Sequence, residues 1–225
     1  MRRMLPLLLL AVVLAGCSSD GGGATAPPSS STTTTELTAG LPKDLADFLD
    51  GVAGAGKTPF RATYHVLRKL GGVETDLEVV SDPPSAQIRF GDLVFVVGPK
   101  PATCRTSVQR CVGEVREQLL SPTGVFSNFF ADGPARQLAT DARRVQAGDP
   151  RFSDRLVASG LRLRCATVPL RDQLVSTYCL TAEGVFGSVD TPAVYYGLTT
   201  YRAGPPGEAA GVPYPIVSDR RFRQP

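Results

Sequence analysis

Period-two alternation around a double glycine constrains this chain most. Phe60, Ala62, Tyr64 and Val66 alternate with Arg61, Thr63 and His65, and Val73, Thr75, Leu77 and Val79 alternate with Glu74, Asp76 and Glu78. Gly71-Gly72 lies between the two runs and reads as a hairpin turn. Each run has one apolar and one polar face, the pattern of an antiparallel sheet with one wet side. Ala86, Ile88 and Phe90 follow Pro83-Pro84, and Gly91-Asp92 turns into Leu93-Val94-Phe95-Val96-Val97, apolar on both faces. Such a strand is expected to be central and covered on both sides. Further strands are expected over 161–168, 174–180, 185–189 and 194–201, with turns near Asp172 and at Glu183-Gly184.

Helical periodicity occupies two places. Leu45, Phe48, Leu49 and Val52 share a helix face after Pro42, and Gly51, Gly54 and Gly56 end that helix. In the middle of the chain Val125, Phe126, Phe129 and Phe130 form an aromatic stripe at helical spacing. Asp132-Gly133-Pro134 then opens another helix, expected to bury Ala135, Leu138, Ala139, Ala142 and Val145 and to expose Arg136, Arg143 and Arg144. Strands lie on both sides of this helical block, and both groups can belong to one sheet. No internal repeat is present.

The N-terminus sets the compartment. Arg2 and Arg3 precede an apolar run from Leu5 to Leu14. That run is about ten residues, too short to span a bilayer and suited to a secretory signal. Leu14-Ala15-Gly16-Cys17 follows it and resembles the bacterial lipobox. The resemblance implies a diacylglyceryl thioether on Cys17, cleavage before it, and loss of residues 1–16 as a signal peptide. It implies attachment to the cell membrane on its extracytoplasmic side. Two or more acyl chains hold such an anchor stably. Residues 17–39 then comprise the lipidated cysteine and a Gly/Ser/Thr/Pro tether, with little to bury. A single globular domain is expected over 40–218, and residues 219–225 read as a frayed basic tail.

Removing Arg2 and Arg3 with the signal leaves 22 basic and 21 acidic residues. That near balance gives no support for a nucleic-acid partner. Only four basic residues are Lys, an Arg bias resembling high-GC bacterial usage. Assigning Cys17 to lipid leaves Cys104, Cys111, Cys165 and Cys179. An even remainder in an exported chain reads as two disulfides. Three connectivities are open. The local one, Cys104–Cys111 with Cys165–Cys179, closes the shortest loops and matches a hairpin near Asp172.

Catalytic and nucleotide signals fail on context. Gly51 to Thr58 matches the P-loop pattern letter for letter. A P-loop follows a buried strand and opens a helix, whereas here a helix precedes and a strand follows, so a flexible linker is expected. His65 is the only histidine and no G-x-S-x-G elbow exists, which leaves a serine nucleophile without its setting. The four cysteines lack zinc-ligand spacing. Glu74, Asp76 and Glu78 read as a solvated face. No enzyme activity, cofactor, metal or nucleotide is expected. The candidate ligand-binding residues are instead apolar: Phe126, Phe129 and Phe130, with Tyr64 from the first strand, as the wall or lid of a cavity.

Late features sharpen this reading. Leu161-Arg162-Leu163-Arg164-Cys165, the returning Ser176-Thr177-Tyr178-Cys179-Leu180, the turn Ala182-Glu183-Gly184-Val185 and a final Tyr-rich strand follow the lipobox, tether, short helix, strands and helical insert. In this order of parts the chain resembles actinobacterial lipoproteins of the LolA and LprG/LppX type. The resemblance implies an α+β fold: one strongly curved, half-barrel-like antiparallel sheet with helices on its concave side. It also implies non-enzymatic binding or transport of a lipid or other apolar ligand. The alternative is a cell-envelope structural or protein-interaction module without a cavity.

Overall fold

The computed structural model describes residues 34–144, 148–157 and 160–223. The signal, Cys17, the tether up to residue 33 and Val145 lie outside the described residues. The alternating runs form β1 (Phe60–Arg68) and β2 (Val73–Asp82), paired antiparallel from Phe60–Ser81 to Arg68–Val73. Gly71 and Gly72 turn between them at φ 97° and 62°, which glycine adopts without Cβ strain.

A meander continues through β3 (Ser85–Phe90), β4 (Leu93–Val97), β5 (Ala102–Arg105) and β6 (Arg110–Val112). A second meander runs through β7 (Arg151–Leu156), β8 (Arg162–Pro169), β9 (Val175–Leu180), β10 (Phe186–Asp190) and β11 (Val194–Ala203). β11 pairs antiparallel with β1, joining both into one curved, open eleven-stranded sheet in the order β6-β5-β4-β3-β2-β1-β11-β10-β9-β8-β7. All other pairings are between strands adjacent in sequence. The expected α+β architecture is therefore present, with β1 at its centre. The cysteines pair as the local connectivity requires. Cys104 faces Cys111 across β5 and β6, and Cys165 faces Cys179 across β8 and β9.

The helices are α1 (Thr34–Thr38), α2 (Lys43–Asp50), α3 (Glu117–Leu120), α4 (Gly133–Arg144) and α5 (Asp219–Arg223). One apolar core joins Leu45, Phe48 and Leu49 of α2 and Ala135, Leu138 and Ala139 of α4 to the sheet. It runs from Ile88 and Phe95 on one flank to Val168 and Tyr178 on the other, so these helices share the concave face. Thr32–Pro225 is a compact unit with its own core.

Five expectations change. Residues 125–132 form no helix. Turns closed by Phe129 N–H to Phe126 O and Ala131 N–H to Asn128 O carry the aromatic residues instead. Gly124 at φ 91° and the Asp132-Gly133 step bound the segment, and tight turns reproduce the apolar spacing of a helix. Second, β4 is covered on both faces but lies third from the edge. Its outer face meets a C-terminal strap, where Val212 and Tyr214 pack on Val94, Val96 and Ala102. Third, the Walker-like glycines form a 3-10 helix, Gly51–Lys57, between α2 and β1 rather than a loose linker. Fourth, the tail read as frayed forms α5. Phe222 is buried there beneath the Arg105 and Arg116 guanidinium groups, 5.6 and 5.0 Å from its ring centre. Fifth, α1 falls inside the stretch read as tether. Leu37 packs on the core and its carbonyl accepts from Arg143 Nη2 at 2.8 Å.

A candidate apolar cleft under the helical insert

A cleft of about 620 Å³ opens between the Gly124–Asn128 turn, α4 and strands β9 to β11. Local chemistry holds each lip. Gly124 makes a close approach: a Cβ there would lie 3.2 Å from Val194 and 3.3 Å from Arg68. The Glu117 carboxylate accepts from the Ser127 amide and hydroxyl, fixing the turn. Across the opening, Thr191 Oγ1 accepts from the Val194 and Ala193 amides at 3.1 and 3.3 Å.

One wall is apolar, formed by Phe126, Phe129, Leu170, Val189, Val194 and Tyr196. Phe126 is 58% exposed, while Phe129 is buried at its foot. Edge-on contacts of Phe129 with Tyr64 at 5.2 Å and Tyr196 at 5.3 Å brace the wall from behind. The Tyr196 hydroxyl donates to Phe129 O at 3.2 Å.

The opposite side is polar. Asp141, 7% exposed, accepts from the Tyr178 hydroxyl and from Gln137 Nε2, each at 2.7 Å. Ser176 and Thr140 stand beside them. Burial, then the hydrogen bond to Asp141, pushes the Tyr178 hydroxyl far above its ordinary range. Burial does the same to Tyr64 and Tyr196. All three stay protonated donors at any physiological pH.

The four residues expected at the ligand therefore divide. Phe126 and Phe129 line the cleft. Phe130 packs edge-on against Phe60 at 6.3 Å in the core. Tyr64 is fully buried, its hydroxyl donating to Phe186 O at 3.0 Å. Asp141, Gln137, Ser176 and Tyr178 escaped the sequence reading. Asp141 carried a signal, since it falls three residues after Leu138 on the buried stripe of α4.

The remaining candidates lie elsewhere. His65 Nδ1 is 3.1 Å from Asp76 and half-exposed. Glu78 is engaged by Arg61 at 2.5 Å and Arg89 at 3.5 Å, and Glu208 of the strap completes that network. Among the described residues no group of three or more His, Cys, Asp or Glu converges, and no helix is long and apolar enough to cross a membrane.

Residues 1–18 match the model of the prokaryotic membrane lipoprotein lipid attachment site, which implies a membrane-anchored bacterial lipoprotein. No curated protein matches the sequence. Among solved structures the chain is similar to MucB (15% identity, TM-score 0.44), covering 82% of this chain and 64% of that one. It is also similar to MucB in complex with periplasmic MucA (17%, 0.40; 78% and 62%) and to the Pseudomonas aeruginosa MucA/MucB complex (13%, 0.41; 81% and 61%). This chain thus spans less than two thirds of those chains. Likeness at that level assigns neither a fold family nor a partner. The resemblance to the LolA and LprG/LppX type gains no support from these matches.

Proposed function

We propose that this lipoprotein works on the extracytoplasmic side of the membrane and binds, without chemistry, an apolar ligand in the cleft beside Phe126. The observation that carries the reading is the cleft itself. Its volume of about 620 Å³ lies within the usual range for small-molecule sites. Its apolar wall ends in an aromatic ring that is 58% exposed, area that an apolar ligand would remove from water. Among the described residues Ser176 has no histidine beside it: the sole histidine stands on β1, paired with Asp76. Attachment through Cys17 would place the domain beside a membrane, a source of acyl chains.

The test uses the non-lipidated chain from Ser18, which retains the whole Thr32–Pro225 unit. Binding of N-phenyl-1-naphthylamine and of a fluorescent long-chain alcohol is expected. Phe126→Asp should weaken both at least tenfold without unfolding the domain. Absence of binding, together with no lipid co-purifying in native mass spectra, would overturn the reading.

A second reading, a protein-interaction module, has one observation in its favour. β7 is an edge strand whose residues are almost all exposed, and it pairs only with β8. Such an edge can accept an added strand. At the other edge the strap covers β6, with the Cys111 amide donating to Pro215 O at 2.9 Å.

A further inference from the structure

Resting on the cleft reading above, a further feature concerns the ligand's head group. Ser176 lies on β9 with its side chain on the same face as Tyr178, lining the cleft. It is fully buried, and its hydroxyl makes no hydrogen bond of ordinary geometry; the Tyr178 oxygen is the group within its reach. The nearby Tyr178 hydroxyl has its proton committed to Asp141 at 2.7 Å. A buried hydroxyl so weakly paired gains from a better partner, and the cleft is the way in.

Asp141 sets the sign of what can arrive. Its two oxygens accept from neutral donors, Tyr178 and Gln137, and no Arg or Lys pairs with it among the described residues. Along α4, Arg143 is turned to the carbonyls of Glu36, Leu37 and Ala39, Arg144 is exposed, and the cleft-lining Arg136 is held by Asp132 at 2.6 Å. Each Asp141 oxygen keeps a free lone pair. An anionic head seated here would face an uncompensated carboxylate, whereas a donor would find an acceptor.

We infer that the cleft takes an amphiphile whose head is a non-anionic hydrogen-bond donor, a hydroxyl or an ammonium, seated between Ser176 and Asp141 with its chain along Phe126 and Val194. Fatty-acid anions are disfavoured.

The experiment displaces N-phenyl-1-naphthylamine from the chain beginning at Ser18, at pH 7.5, with four ligands of one chain length: decanol, decylamine, decanoate and decyl methyl ether. Decanol or decylamine should displace the probe at concentrations at least tenfold below those of decanoate, and decanol should outcompete the ether, which cannot donate. If decylamine leads, the Asp141 charge is the recognised feature; if decanol leads, exchange with Ser176 is. Either outcome supports the inference. Ser176→Ala should weaken decanol about fivefold relative to the probe. Asp141→Asn should narrow the gap between decanol and decanoate. The ether and decanoate comparisons need only the wild-type chain, so a misfolded variant does not hide the answer. Decanoate or the ether matching decanol would overturn the head-group inference while the cleft reading stands. A probe that does not bind at all overturns both.

Discussion

At the scale of single residues, two positions report on how the sheet is held. Tyr64 presents its ring to Phe129 and Tyr196 and its hydroxyl to Phe186 O at 3.0 Å, all in the core. Tyr64→Phe keeps the ring and leaves that carbonyl without the donor. The expected loss is about 1–2 kcal/mol, read as a lower urea midpoint with an unchanged slope. Gly184 turns β9 into β10 at φ 81°, and a Cβ there would run into the Gly51 carbonyl oxygen. Gly184→Ala combines left-handed strain with a backbone clash and should cost roughly 3 kcal/mol, lowering the melting temperature by several degrees. The Glu183-Gly184 turn was legible from residue type alone. The roles of Ser176 and Asp141 were not, because a serine in a strand and an aspartate in a helix acquire meaning only from what the opposite element presents.

At the scale of elements, the C-terminal strap and α5 act as a cover for β4 to β6. Phe222 is the anchor, and Phe222→Ala should cost about 3–4 kcal/mol. Carboxypeptidase should then digest α5 while the far-UV signal of the sheet persists. α5 is also pH-sensitive. Arg116, then Arg223, holds the Asp219 carboxyl below its ordinary value of 3.8. A depressed carboxyl contributes stability above its unfolded value and loses that contribution as pH falls through the folded one. The Phe222 and Asp219 resonances should therefore stay in their docked positions down to about pH 4 and move toward free-chain shifts below it. High salt should advance the change, since Asp219 is exposed. α5 was illegible in the sequence because four of its five residues are charged, and its single apolar residue is buried through arginines on β5 and next to α3. β7 escaped for a related reason. An exposed edge strand carries Arg151, Asp154 and Arg155 and shows no alternation.

At the scale of the whole molecule, two meanders meet along the β1–β11 seam, and each carries one disulfide within its outer strands. The bridges close loops of 7 and 14 residues. Loop closure alone assigns about 2.5 kcal/mol to the first and about 3 kcal/mol to the second. Urea unfolding of the paired Cys→Ala variants should therefore show a slightly larger loss for Cys165/Cys179 than for Cys104/Cys111. Most strands, the two amphipathic helices, the even cysteine count and the lipid-attachment motif are legible in the sequence alone. Each of these is written in spacing or in chemistry local to a few residues. Tertiary packing selects the local disulfide pairing, joins the strands into one sheet, turns the aromatic stripe into a set of turns and lays the strap over β4. It alone placed Phe126 at a cleft while Tyr64 and Phe130 went into the core. These outcomes depend on which surfaces meet across more than a hundred residues of chain, as Tyr64 meets Phe186. Apolar burial rewards any close-packed partner, so periodicity tells which face is buried but not against what.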